Sequence, residues 1–388
     1  MADITEARPR RQRAEKEAKK EKKLISEGID IPLFALTMVV LAIGLVMLFS
    51  ASYAWAYLEE GDSYFYIKNQ LKYTLVGFVG MFVAAVVPMK WYRNKYIPWI
   101  ALFGSVGLLG AVLVLGAIGG GAQRWLLIGG ISIQPFELAK VGMILFFAWW
   151  IEKHQSKMKT FRYGTLPFCI VLAVLAGLMI LQPHLSGTIL ILAIGAMMMF
   201  IGGTNWGFFA VAGGIGVIGM QLAIKYWSYA QERIAIWQNP EADKLDSGFQ
   251  TLQSLYAISS GGVMGLGLGQ SRQKYMFLPK PQNDYIFAIV CEELGFVGAL
   301  LILILFLMLI WRGFIIGARC PNVFSSMVVY GIMTTIALQV VFNVGVVTNT
   351  IPPTGISMPF FSSGGSALVV AMCEIGVVLN FSRYARKV

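Results

Sequence analysis

Apolar and polar positions in this chain segregate on the scale of whole segments. From residue 32 onward, apolar runs of about 17 to 28 residues recur, each long enough as a helix to cross a hydrocarbon core ~30 Å thick. They fall near 32–54, 69–89, 97–117, 135–151, 165–182, 187–203, 206–225, 285–311, 323–347 and 364–382. The pattern predicts an all-α polytopic membrane protein with ten transmembrane helices. An even number of crossings returns the C-terminus to the side of the N-terminus.

The polar intervals differ on the two sides. On one side the connections are short and basic: Lys90, Arg93 and Lys95; Lys153, Lys157, Lys159 and Arg162; Arg312 and Arg319; Arg383, Arg386 and Lys387. Short loops rich in Lys and Arg stay in the cytoplasm, so both termini are expected there. Opposite them lie three elaborate loops, 118–134, 226–283 and 348–363. The large structured extracytoplasmic loop 226–283, between helices 7 and 8, holds the amphipathic QERIAIWQ, a turn at Asn239-Pro240 and an acidic patch of Glu241, Asp243 and Asp246. Phe249, Leu252 and Leu255 recur at helical spacing, which predicts short helices lying on the membrane face. Gly261 to Gly269 matches neither the P-loop spacing nor a dinucleotide fingerprint and reads as a tight re-entrant turn. Aromatic residues at block ends, such as Trp91, Tyr92, Trp149 and Trp150, read as interfacial belts.

Composition sharpens this picture. With 57% hydrophobic and 13% charged residues among 388, the chain cannot cover a soluble surface. The net charge of +11 is scattered over short loops, which indicates membrane orientation and not a nucleic-acid partner. The four cysteines (Cys169, Cys291, Cys320, Cys373) lack CxxC spacing and read as small core residues, and His154 and His184 are too far apart in sequence to suggest a metal cluster. Residues 1–30 form a basic cytoplasmic tail, 31–382 the membrane domain and 383–388 a cytoplasmic C-terminus; no cleavable signal peptide is evident.

Charged residues inside spanning helices cost roughly 2.5 kcal/mol or more each on insertion scales and need a reason. Glu137 and Lys140 share a helix face at i,i+3, either as a structural ion pair or as a substrate contact. Glu292, Glu293 and Glu374 read as lining of a polar cavity. Asp284 stands where the polar loop meets the eighth apolar block, preceded by Arg233, Arg272, Lys274 and Lys280. A carboxylate among cations on a membrane rim suits transfer chemistry on a lipid-linked phosphate, the acid taking a hydroxyl proton while cations offset the departing charge. The alternative is that Asp284 only caps the helix that follows.

The run FLPKPQNDYIFAIVCEELG (277–295) resembles the signature of the SEDS family (shape, elongation, division and sporulation). GAQRWLLIGGISIQPFELAK (121–140), QPHLSGT (182–188), GFQTLQSLYAISSGGVMGLGLGQS (248–271) and NVGVVTNTIPPTGISMPFFSSGGS (343–366) agree in the same order. The resemblance implies a glycosyltransferase that polymerises lipid II into peptidoglycan at the outer leaflet of the bacterial cytoplasmic membrane, with a class B penicillin-binding protein transpeptidase and other divisome proteins as partners. It places the essential acid on Asp284 and further functional positions on Arg124, Glu137, Lys140, Gln253, Ser254, Lys274 and the Ser363-Gly364-Gly365-Ser366 loop. Lys280, Gln282, Ser363 and Phe136 depart from the family pattern, which bears on substrate contacts more than on the reaction. His184, Leu185 and Ser186 are similar to the division and sporulation branch of Gram-positive bacteria.

Both lines lead to one expected mechanism. Asp284 takes the proton of an acceptor hydroxyl, while Arg233, Arg272 and Lys274, with Arg124 as a fourth cation, hold the pyrophosphate; a divalent cation (Mg2+ or Mn2+) would share that task. Two rival readings remain open from sequence: a lipid II transporter, and a non-catalytic scaffold for a transpeptidase.

Overall fold

The computed structural model describes residues 28–119, 122–128, 131–226, 228–242 and 247–385. The expected basic tail up to residue 27, Asp243 and Asp246 of the acidic patch, and Arg386 and Lys387 lie outside the described residues. Every apolar block is helical: α1 (Ile31–Glu60), α2 (Phe65–Val86), α3 (Tyr96–Leu115), α4 (Pro135–His154), α5 (Leu166–Leu181), α6 (Leu185–Ile201), α7 (Trp206–Tyr226), then α10 (Ile286–Arg319), α11 (Val323–Val347) and α12 (Gly365–Ser382). In the loop before α10 stand α8 (Ser228–Gln238) and α9 (Ser247–Gly261), the two short helices expected there.

Among the described residues, seven helices are long and apolar enough to cross a membrane by length and composition. They are α1, α2, α3, α5 with its preceding turn, α10, α11 and α12. α6 is shorter at 17 residues, and α4 carries the Glu137–Lys140 pair. Burial separates these helices into layers. In the apolar windows of α11 and α12, 67% and 61% of residues are buried, against 28% in α2, α3 and α10, so α11 and α12, with the largely buried α4, form the centre and α2, α3 and α10 face outward.

The fold is not purely helical. Three short strands, β1 (Ala117–Gly119), β2 (Ala122–Ile128) and β3 (Ile131–Ile133), form an antiparallel sheet, with Leu126 opposite Ile133 and Ile128 opposite Ile131. The sequence has a reason for this. Apolar RWLLI and ISI are separated only by Gly129-Gly130, a spacing that suits a two-residue hairpin and is too short for another helix.

The long α10 is two helices joined at Gly295, whose backbone (φ 67°, ψ −174°) is open only to glycine. A break at membrane depth strands backbone donors and acceptors, and here the chain after α9 supplies partners. Leu266 N–H donates to Glu292 O (2.9 Å), Gly267 N–H to Glu293 O (3.0 Å), Phe296 N–H to Gly262 O (2.9 Å) and Val297 N–H to Val263 O (3.1 Å). The expected re-entrant turn is thus a strand of backbone dovetailed into the broken helix. Above the break, Ile286 to Glu293 are buried on every side; below it, Phe296, Leu300, Leu301, Ile304 and Leu307 are exposed.

A Cβ on Gly295 would collide with the backbone of Gly265 and Val263. Gly295→Ala is therefore expected to cost about 2–3 kcal/mol, read as a lower melting temperature or loss of folded protein in detergent. Gly213→Ala in α7, which meets nothing within 4 Å, is the control and is expected to hold or slightly raise stability.

Candidate functional site

Asp284 ends the loop just before α10. The N-cap position of α10 is Tyr285, and no side-chain hydrogen bond caps the helix, so capping does not account for the acid. Its main chain is held from several directions. Asn343 Nδ2 of α11, fully buried, donates to Asp284 O (2.7 Å) and to Ile356 O (2.8 Å). Ser362 Oγ donates to Asn283 O (2.8 Å), Ser363 N–H to Gln282 O (2.8 Å), and Gln70 Nε2 of α2 to Ser362 O (3.2 Å). The loop 348–364 therefore clamps residues 282–284 from one side while α11 holds them from another.

The side chain of Asp284 is half-buried and lies close against Gly355, where an added Cβ would stand 3.3 Å from Oδ2. Burial raises its pKa above the ordinary carboxylate value; Arg233 and, second, Arg124 act against that rise. These two cations come from separate elements, α8 and β2. Each hangs on a prolyl carbonyl: Arg233 Nη1 donates to Pro353 O (2.7 Å) and Arg124 Nη2 to Pro183 O. A carboxylate made more basic by burial, with guanidinium groups about it, combines a proton acceptor with an anion-binding rim.

Other expected contacts resolve differently. Lys274 is 3% exposed, and its ammonium is taken up by Glu293 Oε1 (3.0 Å), Gly269 O (2.6 Å) and Ser50 Oγ (3.2 Å). That assigns it to holding the loop in place of a pyrophosphate. Glu292 and Glu293 are fully buried and hydrogen-bonded to protein. They accept from the loop that crosses them: Arg272 N–H (3.0 Å) and Ser271 Oγ bond Glu292, and Gly269 N–H (2.9 Å), Ser271 N–H (3.2 Å) and Ser50 Oγ (2.7 Å) bond Glu293. The physical reason is the break at Gly295: two carboxylates beside it gather the donors that a tight glycine-rich loop leaves over.

Ser254 is buried, and its hydroxyl donates to Thr251 O (2.8 Å) and Val347 O (3.1 Å), pinning α9 to α11. Ser366 Oγ accepts from Gln134 N–H (3.3 Å) and ties α12 to the start of α4. Gln253 and Ser363 are half-buried, and Arg272 is exposed on the loop. His184 packs edge-on against Phe136 (4.9 Å between centroids); burial first, then Arg124 and Lys140, push its pKa down to about 3, so it stays neutral.

Glu137 and Lys140 form a buried ion pair (2.8 Å). With Glu374, Gln339 and the loop Ser357–Gly364 they line a cavity of ≈ 20 Å³, room for about one water. Glu374 thus lines a polar cavity as expected. For a divalent cation the donor set is poor: one carboxylate at Asp284 with arginines acting on it, and among the described residues no cluster of three His, Cys, Asp or Glu placed to hold a metal. Sequence reasoning missed Asn343 as the group that positions the acid. The signal was there, an amide inside an apolar run.

Comparisons with known proteins identify the family of the chain. The family model for FtsW, RodA and SpoVE, described as cell cycle proteins, matches residues 31–387. Stage V sporulation protein E of Bacillus subtilis is 40% identical over 361 residues, covering 92% of this chain and 98% of that protein. A probable peptidoglycan glycosyltransferase FtsW of a Geobacter species is 34% identical, covering 93% and 98%. A chain in a solved structure concerning the coordination of polymerization and crosslinking by a peptidoglycan synthase complex superposes with a TM-score of 0.77 at 26% identity, over 92% of this chain and 98% of that one. The rod shape determining protein RodA of Thermus thermophilus shares the fold, with a TM-score of 0.69 over 92% of this chain and 98% of that one at 24% identity.

Lys274→Met leaves Glu293 charged and buried without its cation and is expected to destabilise the protein by about 3–5 kcal/mol, measured by thermal unfolding in detergent. Arg272→Ala, at an exposed position, is expected to change stability by less than about 0.5 kcal/mol.

Proposed function

Because this chain belongs to the FtsW/RodA/SpoVE family, a family of multi-pass membrane proteins, we propose that it is a peptidoglycan glycosyltransferase that extends glycan strands from lipid II. The observation that carries this reading is Asp284, basic by burial and acted on by Arg233 and Arg124. In the proposed step Asp284 accepts the proton of the 4-hydroxyl on the acceptor's terminal N-acetylglucosamine. That oxygen attacks the anomeric carbon of the donor's N-acetylmuramic acid, the bond to the lipid pyrophosphate breaks with inversion, and a β-1,4 linkage forms. Arg233 and Arg124 face the charge that gathers on the departing pyrophosphate. Arg272, exposed on the loop that ends at Asp284, is a cation available to the incoming lipid.

The topology of the proposal has all ten long helices crossing the membrane, both ends in the cytoplasm and Asp284 outside. The basic connections support it. Similarity to sporulation and division proteins supports a role in one of those processes, and similarity to a chain of a peptidoglycan synthase complex supports a transpeptidase partner. The polar cavity around Glu137, Lys140 and Glu374 admits about one water, which lends the transporter reading no support.

Asp284→Asn protein, inserted normally and supplied with purified lipid II and the cognate transpeptidase, is expected to form no glycan strands, a loss of at least about a thousandfold for removal of the base together with its charge. Undiminished polymerisation would remove Asp284 from the mechanism. Lipid II crossing vesicles without any polymerisation would favour the transporter, and normal growth of Asp284 variants that still form the complex would favour the scaffold.

Activity is also expected to follow the ionisation of Asp284. The base works only when deprotonated, so the raised pKa places the acidic limb of the rate profile above the pH at which an ordinary aspartate ionises. Arg233 lowers that pKa, so Arg233→Gln moves the limb to still higher pH. A limb that stays put in single-turnover rates measured from pH 4 to 9 would argue against Asp284 as the titrating base.

A further inference from the structure

We propose that the turn Val263–Met264 is a foot sunk among the acyl chains of the outer leaflet, and that it sets the height of Asp284 above the bilayer. The height half of this proposal rests on the polymerase reading; the foot itself does not.

The turn projects two apolar side chains, 62% and 79% exposed, between Gly262 and Gly265, both of which have positive φ. It does not wave free. Val263 O accepts from Val297 N–H and Gly262 O from Phe296 N–H, so the turn is locked at the level of the first residues below the break in α10. There it continues an exposed apolar stripe of Phe296, Leu300, Leu301, Ile304, Leu307 and Met308.

The depth of that level follows from two polar links between α1 and α10. At one end Arg312 pairs with Asp30 (2.7 Å), and at the other Ser50 Oγ donates to Glu293 (2.7 Å) beside Lys274. On each helix the interval between these links is about 20 residues, or ~30 Å of helix, the thickness of a hydrocarbon core. The intervals 31–49 and 294–311 contain no charged residue. The two links therefore bracket the core, with Glu293 at its outer edge. Phe296 and Val297 lie about 5 Å inside that edge, and Val263 and Met264 lie beside them.

Acyl chains are the occupant this arrangement fits. The foot presents only two side chains and extends a helix face whose apolar window is 28% buried, so it shares the surroundings of that face. Above the edge, the buried half-helix Ile286–Leu294 carries Asp284 about 13 Å outward. A headgroup layer is ~5–8 Å deep, so the acid stands just beyond it, where the first sugar on a lipid pyrophosphate would emerge. The dovetail at Gly295 makes foot and acid one rigid piece.

The test is a nitroxide on Met264→Cys in the full chain, with the four native cysteines replaced, in phosphatidylglycerol-containing vesicles. Its accessibility to oxygen and to a water-soluble nickel chelate is compared with Phe296→Cys and Lys280→Cys. Oxygen access without nickel access, as at Phe296, supports the foot. Nickel access as at Lys280 overturns it, and exclusion of both reagents overturns it in favour of a protein cover. Should the cysteine-free chain fail to fold, benzoylphenylalanine at position 264 in the otherwise native chain decides the matter: lipid adducts support the foot, and adducts to protein alone or none at all overturn it. For the height, the pair Val263→Asp with Met264→Asp is expected to lower lipid II polymerisation at least about tenfold, while Val263→Leu with Met264→Leu retains it. Unchanged activity of the Asp pair would overturn the height while leaving the foot. If the unaltered protein with its transpeptidase makes no strands, the polymerase reading and the height fall together, and the accessibility result still decides the foot.

Discussion

A helix broken at membrane depth must find partners for the peptide groups it strands, because hydrocarbon offers none. In this protein the break at Gly295 is met by the backbone of residues 262–267, and that single exchange organises the outer half of the molecule. It frees the segment above the break from the lipid-facing course of α10, so Ile286–Leu294 can run through the middle of the protein and end at Asp284. It also explains Glu292 and Glu293. Each accepts several hydrogen bonds from residues 269–273, and Lys274 neutralises part of their charge. Removing one partner from such a network leaves a buried charge behind, so the loop and the break hold or fail together.

The proposed chemistry depends on this rigidity. Asp284 is useful as a base only while its surroundings stay dry enough to raise its proton affinity and cationic enough to keep it ionisable. Arg233 and Arg124 arrive from a loop helix and a small sheet that share no sequence neighbourhood, and the carbonyls of Pro353 and Pro183 fix where each one hangs. Their charge is thus oriented before any substrate arrives, which is the condition under which electrostatic stabilisation acts without reorganisation.

Much of this was legible in the residues, and the parts that were not share a cause. Apolar length located every long helix, and Asp284 drew notice because an acid at the start of an apolar run has to be explained. Arg124 and Arg233 were named among the cations and do act on the acid. Lys274 was read as a phosphate binder from its place near Asp284, Ser254 as a substrate contact from the family resemblance, and the paired glutamates as cavity lining. Their partners, Ser50, Val347 and the amides of 269–273, depend on which segments meet, and spacing along one chain does not report that. The small sheet was missed for a related reason: its strands are as short as three residues, below the length at which a period of two stands out from noise.

The buried Glu137–Lys140 pair raises the question of why a membrane domain keeps two charges in its centre. An ion pair of this kind contributes little net stability, since the loss of hydration offsets most of the attraction. What it does impose is geometry. Both side chains border a cavity roofed by Ser357–Gly364, and that loop is the one whose Ser362 and Ser363 hold the main chain of Asn283 and Gln282. The buried pair therefore lies beside the very loop through which the main chain leading to Asp284 is held.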